Sequence, residues 1–307
     1  VDTVLSGGWI IDGTRTPPYQ ADLCIQDGKI VAISPQWEGN CRTRVDVTGK
    51  IVSPGFIDIH THSDTCPFSA VFPESKVAQG ITLEIVGNCG VSAVPILPSC
   101  QAEQTAYLRK ISEIPVPEEA VRDASVQKYA AHVAQTGYPS HLGTLIGQGT
   151  LRAGIVGFQD RPLTPSEMEQ MKFLLDDQLN QGALGLSLGL IYPPGSFSPT
   201  SELRELARVV QKHKKILAVH MRNEGPNIFQ AVEEMLSIAE ETGVHLHISH
   251  LKLMGKAQWG QAPRLLERIE ASRQRGAVVT CDQYPYTATS TILAALLPRR
   301  AYDGGSA

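Results

Sequence analysis

A parallel α/β architecture, a (β/α)8 barrel preceded by a short all-β portion, is the fold class that the sequence predicts, and three observations predict it. Seven short apolar runs end near His60, Gly87, Gly147, Ser187, His220, His250 and Asp282, most of them one strand plus one helix apart. No G-x-G-x-x-G turn follows the first of these runs, which disfavours a doubly wound dinucleotide fold. Before Pro54-Gly55 the chain instead alternates in short segments, so 1–53 reads as the all-β portion and 54–307 as the barrel. In such barrels chemistry gathers at the C-terminal ends of the strands, and function is to be sought at the seven positions named.

The all-β portion has segments at Val4-Leu5, Trp9 to Gly13, Asp22 to Ile25, Gly28 to Ile33 and Arg44 to Val47. Asp12-Gly13 and Asp27-Gly28 are hairpin-turn dipeptides, because both central residues of a tight two-residue turn take positive φ. In the barrel, the step from Gly87 to Gly147 is too long for one helix. Its Pro-rich part, about 95–120, is expected to form an insertion over one end of the sheet. Thr164-Pro165-Ser166-Glu167 starts a helix: Thr164 can cap, Pro165 suits the first turn and Glu167 completes a capping box. Leu174, Leu175 and Leu179 carry its apolar face until Gly182. After Asp282 no eighth-strand signal follows.

With 307 residues, 42% hydrophobic and 19% charged, the chain has a globular composition and a sizeable core. A net charge of −4 provides no electrostatic footprint for nucleic acid or an anionic membrane, and no apolar run reaches the roughly 18 residues of a membrane span. The six cysteines, at 24, 41, 66, 89, 100 and 281, share no C-x-x-C spacing and read as reduced thiols of a cytoplasmic protein. Nothing in the sequence encodes an oligomeric state.

The chemistry-bearing residues fall at the strand ends. Alternate side chains of an extended segment share a face, so His60 and His62 can reach one ion. His220 and His250 end two further strands, and neutral imidazoles are common ligands of catalytic zinc. His245 and His247 lie opposite His250 in this register and read as helix-facing packing residues. Cys89, between Gly87 and Gly90, combines a strong zinc ligand with a backbone that permits close approach; for an isolated cysteine, a buried free thiol is the competing reading. Asp58 and Asp64 read as groups that orient ligands or as ordinary strand-end residues. Arg222 and Glu224 could pair with each other or orient ligands, and Lys252 could stabilise negative charge.

His60-Thr61-His62, Asn88-Cys89-Gly90, Gly182 to Ser187, Tyr192-Pro193-Pro194-Gly195, His220 to Gly225, Ile248-Ser249-His250 and Asp282-Gln283-Tyr284-Pro285-Tyr286, in this order, resemble the D-aminoacylase (N-acyl-D-amino-acid deacylase) branch of the amidohydrolase superfamily. The resemblance implies a metal-dependent hydrolase barrel beside a small β-sandwich, of which 1–53 would be an incomplete portion. It implies a tight zinc ion on Cys89, His220 and His250, and a second, weaker position at His60 and His62. The region Leu184 to Gly189 holds no lysine, which fits a branch that uses cysteine in place of a bridging carboxylated lysine. The implied substrate is a small N-acyl-D-amino acid, hydrolysed to a carboxylate and a free D-amino acid. Tyr284 resembles the tyrosine that contacts the substrate carboxylate, with Tyr286 sharing its parity, and Tyr192 resembles a wall of the side-chain pocket.

Two other readings stay open: a related amidohydrolase for D-peptides, N-carbamoyl compounds or cyclic amides, and a non-catalytic scaffold or binding module. The proton-shuttling Asp of the resembling family belongs to an eighth strand. With only seven strand ends, the sequence reads as a C-terminally truncated chain in which that Asp would lie beyond residue 307, and no catalytic acid or base is assigned.

Overall fold

The computed structural model describes residues 1–69, 74–109 and 124–297. The chain divides into two units, Val1–Phe56 and the residues from Ile57 onward.

In the first unit, β1 (Thr3–Ile10), β2 (Tyr19–Gln26), β3 (Lys29–Ser34), β4 (Thr43–Asp46) and β5 (Ile51–Val52) form one sheet. β1 pairs antiparallel with β2 and parallel with β4 and β5. Asp27-Gly28 joins β2 to β3 as expected, with positive φ at both residues (50° and 70°). Asp12-Gly13 departs from expectation, because it lies within the longer 11–18 connection. There Asp12 accepts hydrogen bonds from the amide and hydroxyl of Thr14 (2.9 and 2.7 Å), a local turn that competes with a two-residue hairpin. The buried apolar set of this sheet is small: Val4, Ile10, Ala21, Leu23 and Cys24.

The second unit runs β6 (Phe56–Asp58), α1 (Glu74–Ala78), β7 (Ile81–Val86), α2 (Gln101–Arg109), α3 (Val126–Thr136), β8 (His141–Thr144), β9 (Ile146–Gly147), α4 (Gln148–Ile155), α5 (Pro165–Asn180), β10 (Gly185–Gly189), α6 (Thr200–Lys212), β11 (Ile216–His220), α7 (Ile228–Thr242), β12 (His245–Ile248), α8 (Ala262–Gln274) and β13 (Val279–Cys281). Its strands form two sheets in chain order, β6-β7-β8 and β9-β10-β11-β12-β13. The division between them falls at Leu145, whose N–H closes the β7–β8 ladder on Val86 O (2.9 Å).

Residues in register across a parallel sheet share a face. Leu186, Leu217, Leu246 and Val279 form one row across β10 to β13, and Leu188, Val219, Ile248 and Cys281 form the next on that face. The leucines of the first row are fully buried and join a core that includes Leu203, Leu206 and Val210 of α6 and Val232, Met235 and Ala239 of α7. Each such leucine contributes about 2 kcal/mol. The other face carries Gly147, Ser187, Ala218, His247 and Thr280 in one row, with His220 one step nearer the C-terminal edge.

The helix expected from Thr164 is α5. Thr164 Oγ1 accepts the Glu167 N–H (3.3 Å), and the Glu167 carboxylate accepts the Thr164 N–H (2.7 Å). Met171, Leu175 and Leu179 are buried along its inner face, while Leu174 is half-buried. The expected insertion begins with Pro98–Cys100 and α2, where Gln104 bonds Leu97, Pro95 and Thr150; its remainder, 110–120, lies outside the described residues. After β13 the described residues contain one further element, a 3-10 turn at Leu293–Leu296, and no helix among the described residues is long and apolar enough to cross a membrane.

Candidate metal centre

Cys89 sits in a turn that depends on its flanking glycines. Gly87, Cys89 and Gly90 all take positive φ (78°, 54° and 77°). A Cβ on Gly87 would lie 2.1 Å from Leu145 O, and one on Gly90 would lie 2.5 Å from Gly189 N, so the turn is pressed onto the neighbouring strand ends. Ser187 fastens it, accepting the Gly90 N–H (3.0 Å) and donating to Gly87 O (2.5 Å).

Four imidazoles converge on the thiol. Cys89 Sγ lies 3.3 Å from His60 Nε2 and 3.5 Å from His250 Nε2. The donor atoms of Cys89, His220 and His250 lie within 4.8 Å of one another, as do those of His60, His62 and Cys89. Cys89 is common to both triads, so the arrangement has two poles. The pole with His220 and His250 is buried, whereas the other is open at His62. Both ring nitrogens of buried His220 lack a hydrogen-bond partner. Orphaned imidazole nitrogens beside a thiol are a costly arrangement for a packed core and a suitable one for a soft or borderline cation such as zinc.

Carboxylates fix the imidazoles. Asp282 Oδ2 lies 3.2 Å from His60 Nδ1 and 2.8 Å from His247 Nε2, and Asp282 Oδ1 accepts the His250 N–H (2.6 Å). Glu224 Oε1 accepts from His250 Nδ1 (2.9 Å) and from the Lys252 ammonium (2.6 Å), which leaves His250 Nε2 turned to Cys89. Burial alone would raise the Cys89 thiol, but the four surrounding imidazoles, His220, His250, His60 and His62, hold it well below its ordinary value. Burial would lower His60, but Asp282 and Cys89 lift it to about 10. Asp282 is held far below the usual carboxylate range by His247 and His60, against its burial.

Several expectations need correction. His247 does not pack against the helices; Leu246 and Ile248 do, and His247 faces the cluster through Asp282. The parity argument fails because the strand ends at Ile248 and His250 takes a positive φ (38°), so alternation does not carry from 247 to 250. Arg222 does not pair with Glu224. It pairs with Glu234 (3.0 Å) and donates to Ser196 O and Ser198 O. Asp282 was legible as a strand end, but its partners lie on two other segments and leave no local signal. Asp58 turns to Lys76 (2.7 Å), and burial pushes the Asp64 carboxyl up to about 6.

The candidate substrate groups rim the same cluster. The Tyr192 ring stands edge-on to His220, 5.0 Å between centroids, with its hydroxyl 2.9 Å from Thr291 Oγ1. Lys252 Nζ lies 5.7 Å from the Tyr284 ring centroid. Tyr284 and Tyr286 stack at 6.4 Å but differ in exposure: the Tyr284 hydroxyl is buried without a partner, whereas Tyr286 is 75% exposed.

Residues 43–283 match the amidohydrolase family, and the chain belongs to it. Within that family it is similar to the D-aminoacylase of Alcaligenes xylosoxydans xylosoxydans, 36% identical over 292 residues that cover 95% of this chain and 59% of the relative. A crystal structure of a D-aminoacylase superposes with a TM-score of 0.86 at 37% identity, covering 94% of this chain and 59% of that one. The N-acyl-D-glutamate deacylase of Bordetella bronchiseptica, solved with zinc and a phosphonate that mimics the tetrahedral intermediate, superposes at 0.83 with 37% identity, covering 93% and 58%. The chain thus spans about three fifths of the length of these relatives.

Proposed function

We propose that this chain is the metal-binding portion of a zinc-dependent hydrolase that cleaves the amide bond of N-acyl-D-amino acids. The observation that carries the reading is the single thiol between two imidazole pairs, together with the partnerless nitrogens of His220. Cys89, His220 and His250 would hold the tight zinc, and His60 and His62 the weaker position. When bound, zinc lowers the pKa of a water toward about 7 and polarises a substrate carbonyl. Glu224 and Asp282 keep His250 and His60 turned toward the thiol. Lys252 and the free Tyr284 hydroxyl offer donors to a substrate carboxylate, and the Tyr192 ring limits the space beside His220.

We also read the second unit as seven strands of a (β/α)8 barrel, with β8 and β9 as one strand interrupted at Leu145, a reading supported by the contact between His60, after β6, and Asp282, after β13. The first unit would be one layer of a β-sandwich. Leu5, Leu23, Ile33 and Val45 share a sheet face by register, and Ile33 and Val45 on that face are exposed.

The test is metal content together with turnover of N-acetyl-D-methionine, N-acetyl-L-methionine and a hydantoin. Zinc in the folded protein is expected, with any cleavage confined to the D-substrate. A folded, zinc-free preparation would sink the metal reading, whereas zinc with L-selective or ring-opening activity would sink the substrate choice. Cys89→Ala is expected to remove the tight zinc and lower the rate by on the order of 100-fold or more; unchanged zinc content would refute the thiolate assignment.

A further inference from the structure

We propose that Lys76 is the positioning residue of the His60–His62 pole, acting through Asp58 and Thr61, while the Cys89–His220–His250 pole is built without it. The inference rests on the two-pole metal reading above. The Lys76 ammonium lies 2.7 Å from Asp58 Oδ2 and 3.1 Å from Glu84 Oε2, and it donates to Thr61 Oγ1. The ammonium thus donates to Asp58 and Thr61 and faces Glu84 as an ion pair.

These contacts bracket both imidazoles. Asp58 Oδ1 accepts the His60 N–H (3.2 Å), and Thr61 Oγ1 bonds Ser63 Oγ (2.9 Å) across His62. The backbone here follows a strand of three residues, and Thr61 N–H to Ile85 O (3.2 Å) ties it to β7. So short a ladder leaves much of the placement of residues 58–63 to side chains.

The anchor beneath Lys76 is Glu84, whose side chain is fully buried. Its Oε1 accepts from Ser140 (2.6 Å) and Tyr138 (3.2 Å), so the carboxylate cannot follow a moving lysine. A buried carboxylate of this kind demands a cation. Glu84 fixes the ammonium, and the ammonium fixes Asp58 and Thr61. The other pole draws on different supports: Ser187 for the Cys89 turn, β11 for His220, and Asp282 with Glu224 for His250.

The experiment titrates the metal-free full chain with Zn2+ in competition with a chromophoric chelator and resolves the first and second equivalents. Lys76→Met is expected to weaken the second equivalent about 10- to 100-fold, the range for losing a group that orients a ligand, and to leave the first within about twofold. Lys76→Arg, which keeps the charge and the donors, is expected to recover most of the loss. Because Lys76→Met strands the Glu84 charge, Lys76→Met/Glu84→Gln is measured beside it, with folding followed by circular dichroism. An unchanged second equivalent in either folded variant would overturn the proposal, and so would equal weakening of both equivalents in the double variant. A wild-type chain that takes up a single equivalent would sink the two-pole reading itself, and the role of Lys76 with it.

Discussion

Protons stand between this cluster and a metal ion. His60 donates to Asp282 through Nδ1 and faces the Cys89 sulfur through Nε2, and these two partners lift its pKa to about 10 against the lowering effect of burial. A metal at the His60–His62 pole must displace the Nε2 proton, so affinity there is expected to fall about tenfold per pH unit between pH 9 and 7. Zinc titrations at pH 7, 8 and 9 check this, and a flat profile would contradict it. The same shift has the opposite consequence for the metal-free fold. A group whose folded pKa lies above its unfolded value of 6.5 contributes stability below pH 6.5 that is lost as the pH rises toward about 10. His60, His62, Cys89, His220 and His250 were all legible in the sequence because each sits at a strand end. Glu224 and Asp58 were legible as groups able to orient ligands, but Asp282 was not, because it meets His60, His247 and His250 only once three separate segments have folded together.

Among the elements, the turn after β7 and the start of α5 were both readable, for different reasons. Gly87 combines a positive φ with a backbone contact that leaves no room for a methyl group. Gly87→Ala is therefore expected to destabilise the fold by about 3 kcal/mol or more and to move Cys89 off the cluster; urea unfolding and zinc content measure the two effects. Thr164→Ala should cost about 1 kcal/mol by breaking the capping box, with zinc uptake unchanged, because α5 is a structural element remote in function from the cluster. Local chemistry made both features legible. It misled at Asp12-Gly13, where the same dipeptide that forms the β2–β3 hairpin is absorbed into a longer loop by the Asp12–Thr14 hydrogen bonds. It misled again at His247, where a period of two was extended past the end of β12.

Over the whole molecule, the order of the strands followed from the spacing of apolar runs, and every adjacent pair that is paired within β9 to β13 is parallel. The interruption at Leu145 did not follow from spacing, which marks only one strand ending near Gly147. What the histidine–cysteine cluster adds at this scale is connection between remote strand ends: it draws side chains from the ends of β6, β7, β11 and β12 onto one sulfur. Those strands come together only in the folded state, so an ion bound to all of them stabilises folded chains over unfolded ones by mass action. At a free zinc concentration a thousand times the dissociation constant the gain is about 4 kcal/mol. For a domain of this size that corresponds to a rise of roughly 10 °C in Tm. Thermal unfolding with zinc and with excess chelator measures the increment. Cys89→Ala is expected to abolish it, and a full increment in that variant would mean that the stabilising ion sits elsewhere.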